Sequence, residues 1–214
     1  MAKLIDLLTF SGKVGDMVGC KGAHGFYIRS RPRKTALTAS PKQLEVRARL
    51  ALVMGFLKPL KAIIHLGFSG TYPMNNKVSA MNAAASHVLN QGLVGDYPDL
   101  SINPAEVRLT RGTLGKLSIT KTRLWGTSVE VAWSTVVASF SGHADDRVRV
   151  VVYNPEEKTV MANEATRGTG KASVDVSDEP PGSELLVYAY VSDRDKKQFS
   201  NSQFLGKIVL DGQY

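Results

Sequence analysis

The chain has 214 residues, of which 43% are hydrophobic, and a chain of this size can bury an ordinary core. This composition excludes collagen-like repeats, pure coiled coils and wholly disordered chains. The formal net charge is +8 and lies entirely in residues 1–104, which hold 13 Lys and Arg against 5 Asp and Glu, whereas residues 105–214 hold 14 of each. This asymmetry indicates an anionic partner, either an acidic protein surface or a nucleic acid.

The N-terminal segment, residues 1–35, is predicted to form a Gly-rich β arm or hairpin. It carries glycines at positions 12, 15, 19, 22 and 25, a spacing that breaks helices and permits tight turns. Phe26, Tyr27, Ile28 and Arg29 follow the alternation of a strand. Pro32 should keep the arginine-rich exit of the arm extended.

A helical hairpin is predicted next. Ser40 is a suitable N-cap and Pro41 suits the first helical position. The apolar residues that follow lie at spacings of four and three, which predicts one buried stripe; they are Val46, Leu50, Val53, Leu57, Leu60 and Ile64. Pro59 should kink or split this helix. A second helix is expected from about residue 76 to residue 91.

The last part of the chain is strand-rich. Seven short runs recur at the spacing of a β-sandwich, and they are Val107–Arg111, Leu117–Thr120, Val129–Ser134, Val148–Tyr153, Ala172–Val176, Leu185–Val191 and Gln203–Leu210. Trp133 is the natural aromatic core residue. The predicted fold class is therefore α+β: a Gly-rich β arm and helical hairpin in residues 1–104, then an antiparallel immunoglobulin- or fibronectin III-like β-sandwich in residues 105–214.

The sequence contains no recognisable catalytic or cofactor-binding motif. The four histidines lack partners at metal-ligand spacing, and the segment from Gly15 to Lys21 has one residue too few between its glycines for a phosphate-binding P-loop. Cys20 is the single cysteine, which excludes an internal disulfide framework and a cysteine-based zinc cluster. We predict a non-enzymatic protein without a cofactor or metal.

A secretory signal peptide and a membrane-spanning segment are not expected. The apolar stretch at the N-terminus is short and interrupted by Asp6, unlike a secretory signal. No run approaches the roughly 18–20 apolar residues that cross a membrane. We expect synthesis in the cytoplasm, without a recognisable signal peptide, and incorporation into an assembly such as a virion.

The basic segment is the strongest candidate site. Its side chains can contact either an acidic protein partner or phosphate, with Tyr27 available for stacking. Arg47, Lys58 and Lys61 should project within about 60° of one another if their helix is continuous. The candidate contact residues are Lys21, Tyr27, Arg29, Arg31, Arg33, Lys34, Arg47, Lys58 and Lys61.

Several short blocks resemble a family of uncharacterised Bacteroidota proteins with a domain of unknown function. They occur in family order along nearly the whole chain and are Phe10–Gly15, Tyr27–Pro32, Phe56–Lys61, Gly95–Pro98 and Phe199–Gly206. This resemblance implies no catalytic residues. In pattern only, the arm with its arginine-rich exit is also similar to small virion and prophage proteins.

Two functions remain open. The first is a structural or assembly protein, virion-like or part of a surface assembly, whose arm contacts neighbouring protein subunits. Such an arm can add a strand to the edge of a neighbour's sheet. The alternative is a nucleic-acid-associated protein that uses the basic segment 21–50, although no RNA-binding strand, phosphate clamp or zinc finger is present.

Overall fold

The computed structural model describes residues 3–6, 9–22, 25–32, 38–69, 79–136 and 142–210. The chain divides into two compact units, residues 1–40 and residues 41–214. Helices and antiparallel strands are both present, so the predicted α+β class is confirmed. Arg33 and Lys34, two of the predicted contact residues, lie outside the described residues.

The first unit is a four-stranded antiparallel meander. Its strands pair in sequence order and are β1 (Lys3–Asp6), β2 (Thr9–Val14), β3 (Met17–Gly22) and β4 (Gly25–Ser30). Gly15 has a φ of 55° in the two-residue turn between β2 and β3, and a glycine readily adopts such a conformation in a hairpin turn. The sequence predicted a single hairpin or arm here, and the structure extends it to a full sheet.

The helices form as α1 (Pro41–Leu57), α2 (Lys61–Gly67) and α3 (Ala80–His87), and α3 continues into a π-helical turn at Val88–Gly92. Pro59 lies at the break between α1 and α2, whose axes differ by 86°, as expected where proline interrupts a helix. The side chain of Ser79 caps α3 by accepting a hydrogen bond from the backbone nitrogen of Asn82 at 3.2 Å. The predicted start of this helix near residue 76 lies outside the described residues.

Among the described residues, no single helix is long and apolar enough to cross a membrane. The bent pair of α1 and α2 passes that test by length and composition when the two helices are taken together.

Two antiparallel sheets follow a short ribbon of two strands, β5 (Leu93–Val94) and β6 (Ser101–Ile102). The remaining strands are β7 (Ile119–Trp125), β8 (Ser128–Trp133), β9 (Arg147–Asn154), β10 (Thr159–Thr166), β11 (Lys171–Asp175), β12 (Glu184–Ser192) and β13 (Gln203–Val209). One sheet has the order β11-β8-β7 and the other the order β10-β9-β12-β13.

The four-stranded sheet β10-β9-β12-β13 is covered on both faces, which is why β12 is apolar from residue 185 to residue 191. Val148, Val150 and Val152 of β9 face the three-stranded sheet and pack with Val129 and Val131 of β8. The neighbouring positions on β9 and β12 contribute to a second core with the helices, and these residues are Val151, Tyr153, Leu186, Tyr188 and Tyr190. The unit therefore has three layers: helices, four strands and three strands.

The helices belong to the same compact unit as the sheets, so the structural division falls after Ser40 rather than near residue 104. The apolar side chains of the helices pack against the outer face of the sheet that contains β9 and β12. A two-helix hairpin has too little apolar surface to form a core of its own. Tyr188 strengthens this attachment because its hydroxyl donates to the carbonyl of Pro104 at 2.9 Å.

The predicted strand at Val107–Arg111 is wrong. Val107 and Leu109 are buried, as alternating strand residues would be, but the segment joins neither sheet. Its polar groups bond elsewhere: the backbone nitrogen of Leu109 donates to Ser202 Oγ at 2.8 Å, and Thr110 Oγ1 donates to the carbonyl of Ser200 at 2.7 Å. The segment is a buried connection between helices and sheets.

The predicted apolar stripe runs from α1 through the break into α2, and the prediction is correct only for its second part. Val53, Leu57, Leu60 and Ile64 are buried. Val46 and Leu50 are 65% and 47% exposed, because only the C-terminal half of α1 packs into the core shared with the four-stranded sheet.

Candidate interaction surface

The pairing of β3 with β4 separates the side chains of the arm onto two faces. Lys21 pairs with Phe26, Gly19 with Ile28 and Met17 with Ser30, and directly opposed residues of an antiparallel pair point to the same face. The intervening pairs, Cys20 with Tyr27 and Val18 with Arg29, point to the other face.

One face of the arm is apolar and exposed, and we call it the apolar face. It comprises Val14, Met17, Phe26 and Ile28, and the ring of Phe10 lies over Gly19 on this face. Val14, Met17, Phe26 and Ile28 are 48%, 51%, 38% and 53% exposed. Single exposed apolar side chains are common on protein surfaces, whereas a cluster of them marks an interaction site. This face is therefore a candidate contact surface.

The opposite face is basic, and we call it the basic face. Tyr27 and Arg29 are exposed neighbours on β4, and Lys13 stands opposite Val18 on the adjoining strand. Arg31 extends the ladder, since its backbone nitrogen donates to the carbonyl of Asp16 at 2.7 Å. Within the described part of the arm, no basic side chain forms an ion pair.

Lys21 does not belong to the basic face, although the sequence grouped it with Tyr27 and Arg29. Its Nζ lies 5.6 Å from the ring centroid of Phe26 on the apolar face, within the range of a cation–π interaction. Cys20, the neighbouring residue, points to the other side of the sheet and is half-buried. The ammonium of Lys21 is therefore placed at the margin of the apolar face.

The described part of the arm buries very little. Among its residues with described side-chain environments, Gly19 alone is buried. Gly19 lies under Phe10, and a Cβ atom at this position would overlap the backbone oxygen of Phe10. A unit of about 40 residues without a disulfide or metal normally needs a partner to cover its apolar surface.

The remaining predicted contacts are on the helices of the other unit. Arg47, Lys58 and Lys61 are exposed, but they do not share one helical face as predicted. Arg47 is on α1 and Lys61 begins α2, and the 86° bend separates these two helix axes. The calculated angle of about 60° assumed a continuous helix at 100° per residue. Neighbouring Arg49 is paired with Glu45 at 2.6 Å.

Sequence reasoning missed the apolar face of the arm. Phe26 and Ile28 alternate with Tyr27 and Arg29, so the segregation within β4 was visible in the sequence. Val14 and Met17 flank a two-residue Gly-Asp turn, which is a hairpin signal. Applying that signal would have placed these two residues opposite each other on one face of the hairpin, whereas their position beside Ile28 depends on the register of β3 with β4.

Asp146, which follows His143 closely in the sequence, is engaged structurally. Asp146 Oδ2 accepts from the backbone nitrogen of His143 at 2.8 Å and pairs with Arg167 Nη1 at 3.3 Å. These bonds stabilise residues 143–146 as a polar loop. The described residues contain no group of three or more His, Cys, Asp or Glu that is arranged to hold a metal ion.

His87 is an acid-sensitive point of the helical layer. Burial lowers the pKa of its imidazole, Arg108 lowers it further, and a hydrogen bond to the backbone of Glu106 acts in the opposite direction. The folded state therefore prefers the neutral imidazole. The contribution of His87 to the free energy of unfolding is fully present above the unfolded pKa of about 6.5, and it is lost as the pH falls below this value through the lower pKa of the folded state.

We therefore expect the urea midpoint of the protein to fall between about pH 7.5 and about pH 5.5, and the fall to be smaller in His87→Gln. His65→Gln, which removes an exposed imidazole on α2, is the control and should retain the wild-type dependence. An identical fall in all three proteins would show that His87 is not responsible.

The fold and this surface define a two-part α+β protein, with a β arm that carries an exposed apolar face and a unit in which helices cover a pair of sheets. The chain belongs to the family of unknown function DUF6266, whose model matches residues 9–206. This confirms the resemblance to a family with a domain of unknown function, while the assignment to Bacteroidota stays a prediction. No curated protein matches the chain.

Proposed function

We propose that this protein is a non-enzymatic assembly subunit, of a virion-like or surface structure, whose N-terminal arm contacts neighbouring copies of the same chain. The observation that carries the proposal is the arm itself: a four-stranded sheet with an exposed apolar face, in which Gly19 is the one buried residue among those whose side-chain environment is described. Sheets of this size need a covered hydrophobic face for independent stability. A neighbouring subunit would provide that cover.

The strand order supports an immunoglobulin- or fibronectin III-like sandwich as the module that the arm connects. Of the seven strands β7 to β13, one sheet contains β7, β8 and β11, and the other sheet contains β9, β10, β12 and β13. The fourth of these strands, β10, pairs with β9 and not with β11. This pairing is the fibronectin III-like variant of the immunoglobulin-like sandwich. Such sandwiches serve as modules in many cell-surface proteins.

Charge supports a neighbouring copy as the partner. Residues 1–40 contain 7 basic and 2 acidic residues. Two turns of the sandwich meet where Glu179 accepts hydrogen bonds from Asn154 and Thr159. These turns carry exposed Glu156, Glu157 and Asp178, which form no ion pair within the described residues. The basic face of one arm can therefore pair with this acidic end of the next subunit.

A contact between different surfaces of two copies is heterologous, so it generates rings or open filaments rather than closed dimers. Standard stable interfaces bury roughly 1,200–2,000 Å² of accessible surface. The arm offers one small sheet for contact, so we expect it to bury a smaller area. We therefore expect concentration-dependent association in the micromolar range.

The test is a pair of substitutions on the apolar face, Phe26→Ser with Ile28→Thr, examined by light scattering after size exclusion from about 1 to about 300 µM. The wild-type mass should rise with concentration, and the variant should stay monomeric because the partner no longer covers an apolar surface. The control is Val94→Thr with Val209→Thr, two similarly exposed apolar residues outside the arm, which should associate like the wild type. Equal masses for the wild type and the Phe26/Ile28 variant would contradict the proposal.

Nucleic-acid binding is the second candidate function, and the observation in its favour is the placement of Tyr27 and Arg29 on one face of the arm. Aromatic stacking with neighbouring cations is a common mode of binding single strands. This function predicts steeply salt-dependent binding that Arg29→Ala with Arg31→Ala weakens for every sequence. Lys116→Ala with Lys171→Ala removes the same charge from the sandwich and is the control. Absent or salt-independent binding would reject this candidate.

A further inference from the structure

A cavity of about 550 Å³ lies within the unit formed by residues 41–214. The C-terminal half of α1 forms one wall, the outer face of the four-stranded sheet forms another, and the segment around β6 forms the third. The side chains that decide its character are Leu52, Phe56, Leu100, Ile102, Tyr153 and Leu186. Its volume and apolar walls are those of a site for a small organic molecule.

Gly55 supports a binding role for this cavity. It lies in α1 and lines the cavity, and a Cβ atom at this position would meet no heavy atom within 4 Å. Since glycine is less favourable than alanine inside a helix, packing gives no reason for a glycine here. Gly67 of α2 differs, because a Cβ atom there would overlap Thr110. The glycine at position 55 instead keeps the wall of the cavity open.

The charges at the cavity leave one ammonium without an anionic partner. Lys207 is paired with Glu184 at 2.7 Å, and both residues line the cavity. Lys158 also lines it and forms no ion pair within the described residues. Lys158 adopts a positive φ of 58° in the turn between β9 and β10. Neither Glu156 nor Glu157 lines the cavity, so the charge of its lining is +1.

We propose that this cavity binds an elongated apolar molecule that carries one carboxylate. The apolar chain packs against Leu52, Phe56 and Leu186, and the carboxylate pairs with Lys158. All residues of the site lie outside the arm, and Lys158 shares its turn with Glu156 and Glu157 of the proposed acidic end.

Dodecanoate is a suitable probe, with dodecanol as its uncharged counterpart and displacement of a fluorescent fatty acid from the full chain as the readout. The wild type should bind dodecanoate about 10-fold more tightly than dodecanol. Lys158→Gln should lose this preference because it removes the charge that the carboxylate meets. Dodecanoate that does not bind below its micellar concentration, or an unchanged preference in Lys158→Gln, would overturn the proposal.

A second variant tests the location of the site. Gly55→Leu fills the cavity from α1 with a better helix former, so we expect it to weaken the binding of both probes by about 10-fold or more. Ala62→Leu adds the same side chain at an exposed position of α2 and should bind like the wild type. Wild-type affinity in Gly55→Leu would place any binding elsewhere and contradict the proposal. Circular dichroism at the same protein concentration verifies that each variant is folded.

Discussion

Replacing Arg167 by alanine should lower the free energy of unfolding of the unit formed by residues 41–214 by about 3–5 kcal/mol. Arg167 pairs with Asp146 at 3.3 Å, and their side chains are 5% and 4% exposed. Its Nη2 also donates to the carbonyls of Gly115 and Lys116, at 3.3 and 2.9 Å. Alanine would leave a buried carboxylate without its partner and two carbonyls without a donor.

The buried position of the pair is what makes this effect large. Arg194→Ala is the control, because Arg194 and Asp145 form a pair at 3.9 Å whose side chains are 74% and 63% exposed. Surface pairs of this kind contribute about 0–1 kcal/mol. Urea unfolding of both variants at neutral pH gives the comparison. Similar losses for the two arginines would show that the buried pair does not hold the loops together.

Deleting residues 1–40 should abolish association while residues 41–214 keep their fold. The two units are compact separately, and the described residues of both cores lie beyond the arm. The deletion removes the apolar face together with the basic face, so we expect a monomer at every concentration up to about 300 µM. The urea midpoint of the remaining unit should match that of the monomeric Phe26/Ile28 variant.

Two outcomes would contradict this account of the arm. A deletion variant that associates like the full chain would place the contact on the helices or sheets. A deletion variant that unfolds would show that the arm is needed to complete the core of the other unit. The exposed apolar residues of α1, among them Val46 and Leu50, are the next surface to examine in the first case.

The sequence predicted the helices and most strands of the sandwich because their signals are local. Pro59 required a break, and the valines of β9 alternate over three positions. It missed β10, since Thr159–Thr166 is largely polar or half-exposed and lies at the edge of its sheet. It mistook Val107–Arg111 for a strand because burial alternates there, whereas the actual hydrogen-bond partners, Ser200 and Ser202, are about 90 residues away.

The candidate surface was predictable in its charge but not in its geometry. Arg29 and Arg31 stand out in the composition of the arm, and their placement with Tyr27 follows from strand alternation. The apolar face depends on the register that joins β2, β3 and β4, which a single strand does not specify. The cavity depends on the distance between α1 and the sheet that it packs against. No local sequence pattern predicts that distance.

The most direct test of the assembly account is amide hydrogen exchange in β4. β4 lies at the edge of its sheet and all six of its residues are exposed, so its outward amides should exchange rapidly in the monomer. The account predicts slower exchange for residues 26–30 of the full chain at high concentration than at low concentration, with no such change in the Phe26/Ile28 variant. Exchange that is equally fast at both concentrations, in a sample whose mass has risen, would contradict it.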